Sequence, residues 1–107
     1  MNGESLLVKT KDYELNFIKP CITERKKVLA EVKLRRGFKP EVLCDIMSKS
    51  KLAKHTKCSE DLGIARIEWE GKTILVFASG EINIRRADDK EDALKTANFI
   101  KDILLGK

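Results

Sequence analysis

Between Lys27 and Arg35 the chain alternates. Val28, Ala30, Val32 and Leu34 fall on one side, and Lys27, Leu29, Glu31, Lys33 and Arg35 on the other. A period of two with one polar side predicts a half-exposed strand. Further alternating runs follow in close order at 64–70, 73–79 and 81–86. In the second of these Ile74, Val76 and Ala78 oppose Leu75, Phe77 and Ser79; in the third Ile82 and Ile84 oppose Glu81, Asn83 and Arg85. Glu70-Gly71, with or without Lys72, and Ser79-Gly80 predict the tight reversals between them. Near the start, Leu6, Val8, Tyr13, Leu15 and Phe17 come in near alternation. They predict one or two short strands around Lys11-Asp12, ended by Pro20.

Helical spacing appears twice. Pro40 suits a first helical turn, and Val42, Leu43, Ile46 and Met47 carry the pattern to about Lys49. Near the end, Ala93, Ala97, Ile100 and Leu104 form a stripe widened by Leu94, Phe99 and Ile103. A capping box is expected there, with Asp88 serving the first amides and Glu91 reaching back. Gly106 stops this helix. Residues 48–61 are polar and basic with one leucine, and read as a loop holding a short helical turn. The order strand, helix, three-strand meander and long helix predicts an α+β fold, an antiparallel sheet with helices on one face.

Composition narrows the class. At 107 residues the chain is expected to be one compact domain, and 42% hydrophobic with 36% charged residues suits an ordered, well-solvated one. No apolar run approaches the roughly 20 residues of a membrane span. The opening MNGESLLVKTKD lacks the basic and apolar regions of a signal peptide, so a cytoplasmic location without membrane contact is expected. The net charge of +5 is uneven: residues 1–58 hold 14 Lys/Arg against 7 Asp/Glu, and residues 59–107 hold 8 against 10. Such asymmetry attracts phosphate, or simply keeps a small domain soluble. Cys21, Cys44 and Cys58 are odd in number and widely spaced, so reduced thiols are expected rather than a disulfide framework.

The second half resembles one repeat of the TATA-binding protein family. The residues carrying this are Ile67, the run Thr73-Ile74-Leu75-Val76-Phe77-Ala78-Ser79-Gly80, then Ile82, Ile84 and Ala87-Asp88-Asp89-Lys90-Glu91-Asp92-Ala93. Val28-Leu29-Ala30-Glu31-Val32 resembles the first strand of the repeat more loosely. The similarity covers about residues 26–105, so residues 1–25 are expected to form an N-terminal strand extension to a domain spanning 26–107. The resemblance implies a curved antiparallel sheet in the order β-α-β-β-β-α. The family protein joins two such repeats into a saddle whose concave sheet opens the minor groove of DNA. A single repeat therefore implies self-association, with two copies pairing into a homodimer.

Residue by residue, the resemblance is mixed. Phe77 matches a phenylalanine that wedges between base steps, and Leu75 its apolar neighbour. Asn83 and Arg85 stand where the family has valine and threonine, and Glu81 where it has lysine. At 60–62 two acids and a leucine replace a second wedging phenylalanine. Glu31 and Glu68 also fall on the expected open face. Carboxylates facing a groove lined with acceptor atoms are repelled, which argues against TATA-box recognition and leaves the fold.

The candidate surface is therefore the open face: Lys27, Leu29, Lys33, Arg66, Leu75, Phe77, Asn83 and Arg85. Apolar groups among cations suit a nucleic acid or a protein partner. They also suit cover by the N-terminal segment or by a second copy. The first reading is a nucleic-acid-associated binding module using Lys27, Lys33, Phe77, Asn83 and Arg85. Its alternative is a protein-interaction adaptor docking a partner on Leu75 and Phe77. A third is a small metal- or redox-linked accessory protein, because Cys21, Cys44, His55 and Cys58 are the soft-ligand set. No cofactor or resident metal is expected. One histidine, no phosphate-cradling glycine loop and no nucleophile with an evident base partner argue against an enzyme.

Overall fold

The computed structural model of the protein describes residues 7–18 and 28–106. The strands are β1 (Leu7–Lys9), β2 (Tyr13–Ile18), β3 (Val28–Leu34), β4 (Thr56–Ser59), β5 (Ile64–Trp69), β6 (Lys72–Phe77) and β7 (Glu81–Ala87). The helices are α1 (Pro40–Ser48) and α2 (Lys90–Leu105). All the strands lie in one sheet, in the order β1-β2-β3-β7-β6-β5-β4, with every neighbouring pair antiparallel. The fold is α+β, as the alternation predicts. The β1–β2 hairpin extends the sheet at its β3 end rather than lying across its face. Because β3 is bonded to β2 on one side and β7 on the other, β1 and β4 are the end strands among the described residues.

One face of the sheet is apolar in every central strand. Leu15 and Phe17, Ala30 and Val32, Ile82 and Ile84, Ile74 and Val76, and Ala65 and Ile67 are all buried there. Leu43 and Met47 of α1 and Ala93, Ala97, Ile100 and Leu104 of α2 close the core from the other side. Each large aliphatic side chain hidden this way contributes about 1.5–3 kcal/mol. The helix α2 reaches as far as β2. The Tyr13 hydroxyl donates to Asn98 Oδ1 at 2.7 Å, and the Lys90 ammonium lies 5.9 Å from the Phe17 ring centre.

Two turns depend on backbone that few residues tolerate. Trp69 pairs with Lys72, leaving Glu70 (φ 51°) and Gly71 (φ 75°) as the two-residue turn of a tight hairpin. At Gly80, φ is 104° and an added Cβ would collide with the Arg36 carbonyl oxygen. That close approach lets the 34–38 segment dock on the β6–β7 hairpin, where Phe38 N–H donates to the Ala78 carbonyl at 2.6 Å. The hairpin wording that carries the family resemblance is thus also a packing requirement.

Three expectations need correction. First, residues 56–59 form the edge strand β4, where a loop was expected; only the helical turn, a 3-10 turn at Ala53–His55, was anticipated. The strand is short and its inner positions are Thr56 and Cys58, so no apolar alternation marks it. Second, the capping box sits one residue later. Asp89 caps α2 by accepting from Asp92 N–H at 2.7 Å, and the Asp92 carboxylate accepts from Asp88 N–H at 2.9 Å. Asp92 thereby stays near Lys72, which is buried at the start of β6 and donates to it at 3.2 Å. Third, Cys44 and Cys58 are not free thiols. They form a disulfide with Cα atoms 5.6 Å apart, fastening α1 to β4. Without β4, nothing in the sequence turns Cys58 toward the helix. Cys21 lies outside the described residues.

The open face of the sheet as candidate functional site

The same alternation that builds the core delivers a second set of side chains to the opposite face. Register fixes their neighbours. One row runs across six strands as Asn16, Glu31, Asn83, Leu75, Arg66 and Lys57. A second carries Arg85, Thr73 and Glu68, and a third carries Glu14, Lys33 and Glu81. Phe77 pairs with Ile64, and Ile64 with Ser59. Leu75 and Phe77 are half-buried on this face, opposite Ile74 and Val76, which are fully buried on the other.

A β-bulge shapes the β3–β7 seam. Val28 pairs with Ala87 but Ala30 pairs with Ile84, so Leu29 faces both Arg85 and Arg86. Arg86 adopts φ 69° to absorb the extra residue. Without this irregularity the alternation would carry Arg86 to the core face and Ala87 to the open one. The bulge keeps both arginines exposed and returns Ala87 to the core.

The structure brings together Leu29, Lys33, Arg66, Leu75, Phe77, Asn83 and Arg85 on one face; Lys27 lies outside the described residues. Sequence reasoning missed two contributions. Glu14 and Asn16 join the face because β2 pairs with β3, a neighbourhood that period-two patterning does not specify. Lys57 joins it because β4 is a strand.

Charge on this face is divided. Glu14, Asn16, Glu31, Lys33, Glu81 and Asn83 surround a depression of about 410 Å³ over β2, β3 and β7. At the other end Lys54, His55, Lys57, Arg66 and Glu68 line one of about 520 Å³. Between the two ends stand Leu75 and Phe77. Glu68 accepts from Arg66 Nε at 2.9 Å and from the Thr73 hydroxyl at 3.0 Å. Those two hydrogen bonds hold its carboxyl below the ordinary range. Its charge is thereby tied to Arg66, while Glu31, Lys57 and Arg85 make no ion pair among the described residues.

The soft-ligand set does not converge. Cys44 and Cys58 are consumed by their disulfide, and no group of three His, Cys, Asp or Glu side chains is placed for a metal among the described residues. No helix among them is long and apolar enough to cross a membrane.

Neither a protein-family model nor a curated protein matches this sequence. Among solved structures the chain resembles Methanococcus jannaschii TBP, with a TM-score of 0.57 and 20% identity. The match covers 77% of this chain and 45% of that one, so the chain corresponds to less than half of that protein's length. At this identity the likeness speaks for architecture alone: the protein has the α+β fold of one TBP half-repeat.

Proposed function

We propose that this protein is a non-enzymatic binding module whose open sheet face receives another protein chain. One observation carries the reading: Leu75 and Phe77 stand mid-face between a flank rich in carboxylates and a flank rich in cations. Glu14, Glu31 and Glu81 would face phosphates or groove acceptors if a duplex lay there, and both would repel them. A protein surface offers charges of both signs to match such a pattern around an apolar centre.

A nucleic-acid reading keeps one specific support, the basic depression of Lys54, His55, Lys57 and Arg66 at the β4 end. Contacts confined to it would be to the phosphate backbone and would weaken steeply with salt. The discriminating experiment is fluorescence anisotropy with A·T-rich and G·C-rich duplexes and a single strand, at low and physiological salt. The protein-binding reading expects at most weak association that vanishes at physiological salt. Tight binding that survives salt and prefers one sequence would overturn it.

A further inference from the structure

The charges on the open face are arranged antisymmetrically about β6. Moving outward from Leu75, the row reads Asn83 then Glu31 on one side, and Arg66 then Lys57 on the other. In the neighbouring row Thr73 on β6 is flanked by Arg85 on β7 and Glu68 on β5. Positions at equal distance from β6 therefore carry complementary groups: Glu31 with Lys57, Asn83 with Arg66, and Arg85 with Glu68. The match is absent on the Phe77 row, where Glu81 stands opposite Ile64 and Lys33 opposite Ser59, and at the bulge residue Leu29.

A surface of this kind is complementary to itself. A two-fold axis parallel to β6 and lying above the face sets each strand over the strand equally far on the other side. Leu75 then meets Leu75 and Phe77 meets Phe77, while Glu31 meets Lys57 and Arg85 meets Glu68. Self-complementarity of one patch is what an isologous dimer requires. Stacked sheets sit about 10 Å apart, a gap that long Lys, Arg and Glu side chains can span. The β4 edge is only four residues long and offers far less to pair with.

We infer that the occupant of the open face is a second copy of this chain, docked sheet to sheet with β6 over β6. This inference rests on reading the face as a protein-binding surface and names the partner. Five strands at about 4.8 Å spacing and six residues at about 3.3 Å give a footprint of roughly 500 Å² per copy. A total near 1,000 Å² lies at the lower bound for specific interfaces, so the dimer is expected to be reversible and dependent on concentration.

The test is sedimentation velocity across roughly 5–500 µM, on the full chain and on the variants Lys57→Glu and Glu31→Lys. Both substitutions lie on exposed positions, and circular dichroism melts check that each variant folds. Each alone sets like charges against each other twice per dimer, and should raise the dimer Kd at least about tenfold. In an equimolar mixture of the two variants, the mixed dimer again sets a carboxylate against an ammonium at both contacts between positions 31 and 57. That mixture should regain dimer near the original Kd. A chain that stays monomeric throughout would overturn the inference, as would a dimer that neither charge change weakens. Monomers that also fail to hold a duplex at physiological salt would remove the second copy alone. Salt-resistant duplex binding would remove the protein-binding reading itself.

Discussion

Along β7, neighbouring residues meet opposite surroundings. Ile82 and Ile84 are fully buried against the helices, while Asn83 between them and Arg85 beyond them face outward. The buried face is chemically uniform, and any side chain lost there leaves a cavity. The open face mixes apolar, acidic, basic and amide groups, and a change there alters what can dock. Fold and partner are thus encoded on alternate residues of the same strands. A likeness in architecture is satisfied by the inner set, and it leaves the outer set free to diverge. Here that outer set carries Glu31, Glu68 and Glu81 on a TBP-like frame.

Substitutions on the two faces should therefore separate cleanly, and the largest effect belongs inside. Ile84→Ala removes a fully buried side chain at the centre of the sheet and should cost about 2–5 kcal/mol in denaturant unfolding. A loss as small as that of a surface substitution would break the contrast. Next comes the cross-link beneath the edge strand. Replacing Cys44 and Cys58 with serine, or reducing the disulfide, opens a loop of 14 residues and should cost about 2–3 kcal/mol. Hydrogen exchange should quicken first in β4 and the 49–55 segment, with the β3–β7–β6 centre still protected.

Alkali probes the inner face at the Tyr13–Asn98 contact. Burial pushes the Tyr13 phenol above its ordinary value of about 10, and nearby Lys101 partly opposes this. The folded chain thus holds that proton where the unfolded chain has lost it. The resulting stability is complete below about pH 10 and disappears as pH rises through the folded-state value. Lys101, raised by its hydrogen bond to Asp102, works in the same direction. Tyr13→Phe should cost about 0.5–1.5 kcal/mol at neutral pH and flatten the alkaline fall in melting temperature. An unchanged alkaline fall would discount the contact. Smallest of all, Asn83→Ala on the open face should shift stability by no more than about 0.5 kcal/mol, measured by the same unfolding curves.

What could be read from the sequence follows the same division. Ala30, Val32, Ile74, Val76, Ile82 and Ile84 alternate with polar or half-exposed neighbours, and a period of two assigns their faces directly. The stripe of α2 is equally plain, because Ala93, Ala97, Ile100 and Leu104 recur at helical spacing. Cap position was legible to within one residue, since adjacent Asp88 and Asp89 can both serve. Pairing was not legible. Nothing local in Glu14 or Asn16 says that β2 will lie beside β3, and Thr56-Lys57-Cys58-Ser59 has no apolar pattern to announce a strand. The disulfide depended on that strand and went unread with it. The β7 bulge was also hidden, because Arg85-Arg86 reads as the polar end of a strand until its register with Val28 and Ala30 is known.

The central claim is that the open face, and not the helical one, is where this protein meets another chain. Nuclear magnetic resonance on isotope-labelled protein tests it most directly, by following amide shifts as the chain is concentrated and, separately, as duplex DNA is added at physiological salt. The account predicts concentration-dependent shifts centred on Leu75, Phe77, Asn83 and Arg85, with those resonances unmoved by duplex. Shifts confined to α1 and α2, or a response of Leu75 and Phe77 to duplex alone, would contradict it.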